Sequence, residues 1–402
     1  MISTDEISTL EEANTWRVVA EINLAALRHN LSRIRAFAPG VKILAMVKGN
    51  AYGHGMVTVA SALRDVDYLG VVGLEAAVAL RHSGVMQPIV LMNGFQSEAE
   101  LEILLEYKID SVIFDFIQIR QLESYFEENI KNKNNIKNFK PKLWLKIDTG
   151  MHRLGFQEAE VPEAYQRLKN LKDKDKDKDN KKYIEDIILM THFAEADQEA
   201  AESVHRQFAK FLTLVSHYSE LKSCANSGAL LQYPMTQMDI IRPGLILYGV
   251  SPCYLKNKNN QNKDAAHLDL LPVMTLKSKI ISLHRLEIGE RVGYGSTWRA
   301  LRPTNLAVVS VGYGDGYPQS AKEATPVLIR GQKAWLAGRV SMDTITVDVT
   351  DIPEVALGDE VILWGENLPI EGVVQAMGLS PYGVLTGVTS RVKIEVQKLD
   401  AP

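Results

Sequence analysis

With 402 residues, 46% of them apolar, and a net charge of −4, the chain can bury a sizeable core. It has no surplus of positive charge with which to hold nucleic acid or an anionic membrane by bulk attraction. Its two cysteines, Cys224 and Cys253, lie far apart and outside any CxxC or Cys/His cluster, which fits reduced thiols in a cytoplasmic protein better than a disulfide scaffold or a metal site.

Residues 1–14 form an acidic, polar tail with neither the basic nor the apolar region of a secretory signal. No apolar run is long enough to span a bilayer. Arg17–Glu21 is a short strand-like piece. Leu24, Leu27, Leu31 and Ile34 then recur at helical spacing behind Asn23, which suits an N-cap. Short apolar runs follow, at Lys42–Lys48, Tyr68–Val72, Pro88–Met92, Ser111–Phe114, Lys142–Ile147, Asp186–His192, Ser223–Ala225 and Asp239–Arg242. A helix-sized segment joins each run to the next. Eight such βα units predict an α/β fold, a closed (β/α)8 TIM-like barrel over 15–266.

From about Leu270 the rhythm changes. Met274–Leu283, Asn305–Val311, Pro326–Ile329, Ala334–Val340, Ile345–Val349, Glu360–Leu363 and Arg391–Gln397 are strand-like, with Gly, Pro and Asp between them. This predicts a mostly β C-terminal domain over 267–402. Segments near 129–140, 172–182 and 256–264, rich in Lys, Asn and Asp, are expected to be solvated inserted loops with little order.

In a barrel, chemistry collects where strands end. Those ends carry Lys48, Asp148 with Arg153 beyond it, His192, Asn226 with Ser227, and Arg242-Pro243-Gly244. Buried charge is costly unless used or paired, so five such placements are hard to assign to packing. Lys48, in AMVKGNAYGHG, faces the barrel mouth, where partial desolvation favours the neutral amine that a Schiff base needs. A plain surface lysine is the competing reading. Tyr52 lies near enough to reach a phosphate beside that lysine. Asn226-Ser227-Gly228 and Arg242-Pro243-Gly244 stand after the last two strands, where barrels often build phosphate sites; alone, each would be an ordinary turn. His192 is either a satisfied core histidine or a face-on contact to a planar cofactor. Arg153 either holds a substrate carboxylate or pairs with Asp148. Gly312–Gly316 has glycines at suggestive spacing but lies in the β domain, so it is not a dinucleotide loop. Nothing in the spacing marks Tyr294, in Gly293-Tyr294-Gly295, as a base.

Taken together, AMVKGNAYGHG, KIDTGMHRLGF, THFAEAD, ANSGA, DIIRPGLILYGV, VGYGSTW, VGYGDGY, GRVSMD and SPYGV resemble the alanine racemase family, in family order from about Val41 to Arg391. The resemblance implies pyridoxal 5′-phosphate (PLP) joined to Lys48 as a Schiff base. It implies a phosphate held by Tyr52, Ser227, the backbone of Gly244 and Leu245, and Tyr382, with Asn226 in the same cluster. Arg242 would face the pyridine nitrogen and His192 would lie near the ring. Arg153, Met342 and Tyr313 would serve the substrate. Lys48 and Tyr294 would be the acid/base pair that interconverts L- and D-alanine, supplying D-alanine for peptidoglycan. Each active site would be shared across a head-to-tail homodimer, with Tyr294 and Met342 coming from the second subunit. Lys146 matches a lysine that is carbamylated in some members. The nearest alternative is a racemase of broader specificity, for example for serine. A PLP-binding regulatory barrel and a related decarboxylase are further off; the first would lack the β domain, and the second would show a cysteine and glycine-rich phosphate motifs that are missing.

Overall fold

The computed structural model describes residues 17–131, 139–172, 183–253 and 264–397. The polar tail at 1–14 and the greater part of the three inserted segments lie outside these residues.

The first strand, β1 (Val18–Asn23), ends on Asn23, whose side chain accepts from Ala26 N–H at 2.8 Å and so caps the helix Leu24–Phe37 as its residue type suggests. The barrel follows. Its strands are β2 (Lys42–Met46), β3 (Tyr68–Val71), β4 (Ile89–Leu91), β5 (Ile109–Ile113), β6 (Lys142–Lys146), β7 (Asp186–Met190), β8 (Leu221–Ser223) and β9 (Ile240–Ile241). From β2 to β8 each pairs in parallel with the next, and β9 returns to β2. Loop bonds close the remaining seam: Asp239 N–H donates to Lys222 O at 3.1 Å and Arg242 N–H to Ala225 O at 2.9 Å. Most of these strands are buried on both faces, as at Leu143-Trp144-Leu145 and Ile187–Met190, which explains their apolar runs; β8 is the exception, with only Ser223 fully buried. Each fully buried Leu or Ile side chain contributes about 1.5–3 kcal/mol.

The second domain contains β10 (Met274–Leu286), β11 (Arg291–Val292), β12 (Trp298–Arg299), β13 (Thr304–Val309), β14 (Pro326–Ile329), β15 (Gln332–Leu336), β16 (Ile345–Asp348), β17 (Glu360–Trp364) and β18 (Lys393–Gln397). Its main sheet runs β13-β16-β15-β14-β17-β10-β1-β18, and a further β13–β10 pairing closes the part from β13 to β10 on itself. The long β10 makes that closure possible. Its first half pairs with β17, and beyond an irregularity between Ile280 and Ser282 it pairs with β13.

Two features differ from the sequence reading. The strand-like piece after the tail falls within the residues assigned to the barrel region, yet β1 lies in the second domain's sheet, antiparallel to β10 and parallel to β18. Its burial alternates strictly, unlike that of a barrel strand, because one face only meets the core. Between β17 and β18 lie two helices, Ile370–Met377 and Pro381–Thr386, in a region read as β-rich. Ser380-Pro381 is the missed signal, a cap residue followed by Pro in the first helical turn. Among the described residues no helix is long and apolar enough to cross a membrane.

Candidate active site

Lys48 opens a turn at the mouth of the barrel, just past β2. Gly49, Asn50, Ala51, Tyr52 and Gly53 all have left-handed backbone angles, with φ of 60°, 52°, 53°, 53° and 83°. For the three non-glycine residues that conformation costs about 1–2 kcal/mol each. Surrounding bonds offset the cost. Gly53 N–H donates to Gly49 O at 3.0 Å, Met56 N–H to Asn50 Oδ1 at 2.8 Å, and His54 Nδ1–H to Tyr52 O at 2.8 Å. A Cβ on Gly53 would overlap the carbonyl oxygen of Leu385, so the turn seats directly on the helix Pro381–Thr386. That seating brings Tyr382 beside Tyr52, with ring centroids 6.0 Å apart.

Tyr52 also meets Gly244, where a Cβ would overlap its hydroxyl oxygen. Gly244 N–H donates to Ser227 Oγ at 2.8 Å. Ser227 opens the helix Ser227–Gln232, and Asn226 caps it by accepting from Ala229 N–H at 3.0 Å. Buried Leu245 continues the chain after Gly244. Two phenols, a hydroxyl and the start of a helix therefore meet at one end of the site, a donor set suited to a phosphate.

The other end is cationic. Arg242 is buried; it donates to Ser223 Oγ at 2.7 Å, Thr191 O at 2.6 Å and Cys224 O at 3.1 Å. It also donates to His192 Nδ1 at 3.1 Å. Because a guanidinium can only donate, Nδ1 must accept, which places the imidazole proton on Nε2. Burial first, then the charges of Arg242, Lys146, Arg153 and Lys48, hold His192 well below its ordinary pKa, so it is neutral. Burial, then Arg153 and Arg242, lower Lys48. Burial, then Arg153, Arg242 and Lys48, bring buried Lys146 down to about 8.

Lys48, Tyr52, Arg153, His192, Asn226, Ser227, Arg242, Gly244 and Tyr382 thus line a single cavity of ≈ 440 Å³, together with Lys146. The possible Arg153–Asp148 ion pair is not formed; Asp148 binds His152 at 3.1 Å instead. Tyr294, Tyr313 and Met342 do not line the cavity. All three sit on the second domain with exposed side chains, Tyr294 at 73%. They gather around the segment 338–342: Gly293 and Gly295 lie against Arg339, and Tyr313 N–H donates to Ser341 O at 3.0 Å. The residues that sequence reasoning missed are the ones that aim others. Ser223 and Thr191, which fix Arg242, looked like ordinary strand residues; pairing the ends of β8 and β9 would have shown that Ser223 faces Arg242.

No metal-binding group of His, Cys, Asp or Glu occurs among the described residues. The chain matches family models described as alanine racemase, N-terminal domain, over residues 22–252, and alanine racemase, C-terminal domain, over residues 273–396. It is 42% identical to an alanine racemase of Pectobacterium atrosepticum, across 94% of this chain and 97% of that one. With an alanine racemase of Coxiella burnetii it shares 41% identity, across 95% and 100%. Its structure is similar to the biosynthetic alanine racemase of Pseudomonas aeruginosa, at TM-score 0.85 and 37% identity, covering 95% of this chain and 100% of that one. It is also similar to the alanine racemase of Bartonella henselae with covalently bound pyridoxal phosphate, at TM-score 0.79 and 27% identity, covering 95% and 99%.

Proposed function

The chain belongs to the alanine racemase family and its reaction is the interconversion of L- and D-alanine; from that premise we propose how its residues divide the work. The observation that carries the reading is one cavity holding a lowered lysine, a cluster of cations and a donor-rich cradle. The cradle fits PLP, because the missing Cβ of Gly244 lets the Tyr52 hydroxyl close on the same backbone whose N–H meets the Ser227 hydroxyl, which gathers phosphate donors in one place. Tyr52, Ser227, the backbone of Gly244 and Leu245, and Tyr382 would hold the phosphate, Asn226 would brace the helix start, and Lys48 would carry the Schiff base. Once bound, PLP supplies an electron sink that stabilises negative charge at the substrate Cα.

Lys48 Nζ and the Tyr294 hydroxyl oxygen act on opposite faces of Cα. Two groups are needed, since a single one returning its own proton would regenerate the starting enantiomer. Tyr294 takes the α-proton of L-alanine while Lys48 delivers one to the other face, and D-alanine runs the reverse. A free tyrosine, with a pKa of roughly 10, is a weak base. His192 Nε2–H can donate to the tyrosine oxygen and so orient it. Arg242, a fixed cation, would face the pyridine nitrogen and disfavour its protonation, which would weaken the electron sink and limit side transamination. Arg153 binds the substrate carboxylate by a two-pronged fork. Tyr313 and Met342 shape the entrance. As Tyr294 lies outside the cavity of its own chain, we assign it, with Met342, to the cavity of a second copy in a head-to-tail homodimer. We place the enzyme in the cytoplasm, supplying D-alanine for peptidoglycan.

The relatives do not favour the broader-specificity alternative, and the matched C-terminal domain weighs against a regulatory barrel. The test follows α-deuterium washout from each enantiomer of alanine. Lys48→Ala should abolish racemisation, and Tyr294→Phe should lower it by roughly 10²–10⁴-fold. Full activity in either variant would overturn the two-base assignment.

A further inference from the structure

Arg153 is exposed at the cavity and, among the described residues, makes no hydrogen bond or ion pair of its own. Its aim therefore depends first on the backbone that carries it. That backbone is a short lasso from Asp148 to Phe156. The two ends are joined: Asp148 N–H donates to Phe156 O at 3.0 Å, and Phe156 N–H donates to Lys146 O at 2.9 Å. Inside the lasso one side chain makes most of the polar contacts. Asp148 Oδ1 accepts from the backbone N–H of Gly150 at 2.9 Å, Met151 at 3.0 Å and His152 at 3.1 Å. Its Oδ2 accepts from His152 Nδ1 at 3.1 Å and Gln157 Nε2 at 3.3 Å. The Asp148 side chain is 3% exposed, so these bonds compete little with water. His152, next to Arg153, is held in a left-handed conformation with φ of 54°. A carboxylate that gathers three successive N–H groups stabilises that unusual path.

We infer that Asp148 is a positioning residue for substrate binding: its buried carboxylate fixes the lasso that aims the Arg153 guanidinium at the carboxylate of alanine. The inference rests on the proposed role of Arg153 and adds the residue through which that role is set. Asp148 touches neither substrate nor Arg153. It acts through the backbone, so its loss should appear as poor substrate capture with intact proton transfer.

The experiment is a double-mutant cycle on the PLP-loaded enzyme with Asp148→Ala, Arg153→Ala and the pair, reading KM and kcat for L-alanine. Competition by propionate, a carboxylate without the amine, is read alongside. Asp148→Ala should raise KM and the propionate inhibition constant together by roughly tenfold, with kcat within about threefold of the parent. The double variant should then be no worse in KM than Arg153→Ala alone. Asp148→Asn keeps an oxygen for the three N–H groups and replaces the other with a donor, so its KM should fall between parent and Ala. This milder variant carries the test if the Ala variant does not fold. If Arg153→Ala raises KM and the Asp148 variants do not, the positioning role fails while the role of Arg153 stands. If Arg153→Ala leaves KM unchanged, the carboxylate role of Arg153 fails and the inference falls with it. A uniform fall in kcat with KM unchanged in the Asp148 variants would also overturn it.

Discussion

At the scale of single residues, charge decides more than shape. Folded His192 refuses a proton that the unfolded chain accepts near pH ~6.5. Unfolded molecules therefore bind more protons below that pH, and stability must decline as pH falls through it. This group's contribution is complete above that point. Denaturant unfolding at pH 7.5 and 5.5 should show the decline, and His192→Gln should make it shallower. An unchanged pH slope in that variant would deny the neutral histidine. Lys146, brought down to about 8, has a neutral fraction near pH 7 that a surface lysine lacks. Neutral amines add CO2, and a carbamate there would set an anion among Lys48, Arg153 and Arg242. The expected result is a CO2 adduct in native mass spectrometry that disappears in Lys146→Ala. Gly244→Ala would drive a methyl group into the Tyr52 hydroxyl. PLP affinity of the apoenzyme should fall by about tenfold or more, which is about 1.4 kcal/mol, as measured by absorbance titration. These single-residue effects were partly legible. Lys48 stands at a strand end, where barrels place their chemistry, so its position can be argued without any relative. Tyr294 cannot: a tyrosine between two glycines looks like a turn, and it lies outside the cavity of its own chain.

At the scale of elements, the left-handed turn at 49–53 holds Lys48 and Tyr52 together because its outer face seats on the helix Pro381–Thr386. Gly53→Ala would set a methyl against the Leu385 carbonyl and strain a φ of 83°. We expect a loss of roughly 2 kcal/mol or more in unfolding free energy, with weakened PLP binding as Tyr52 and Tyr382 separate. Chemical denaturation and cofactor titration of the variant check both. The left-handed path of Asn50, Ala51 and Tyr52 was invisible in the sequence, since those residues adopt it only under tertiary constraint. Most barrel strands were readable for the opposite reason, β8 excepted, since Leu221-Lys222-Ser223 is not an apolar run. Burial on both faces writes itself as an apolar run, whatever the neighbours. The two helices before β18 were hidden by the strand-like rhythm around them.

At the scale of the whole molecule, the barrel cavity holds Lys48 while the exposed Tyr294 waits on another domain. If the site is shared between subunits, two inactive enzymes should repair one another. Mixing Lys48→Ala with Tyr294→Phe under conditions of subunit exchange should restore activity to about a quarter of the parent, because about half the dimers then carry one intact site of two. No recovery after demonstrated exchange would place both residues' work within one chain. The allegiance of β1 also lies beyond what the sequence displays. Its residues read only as a strand-like piece, and its partners β10 and β18 stand on the far side of the entire barrel in chain order.

That allegiance bears on how the protein is made. β1 emerges from the ribosome first and must remain unpaired while the whole barrel is synthesised, since β10 follows the barrel and β18 comes later still. The barrel can collapse early, but β1 has no strand to pair with until β10 has left the exit tunnel. Ribosomes stalled just short of β10 should therefore display a protected barrel beside a protease-sensitive β1, and that interval is when the nascent chain has most need of a chaperone.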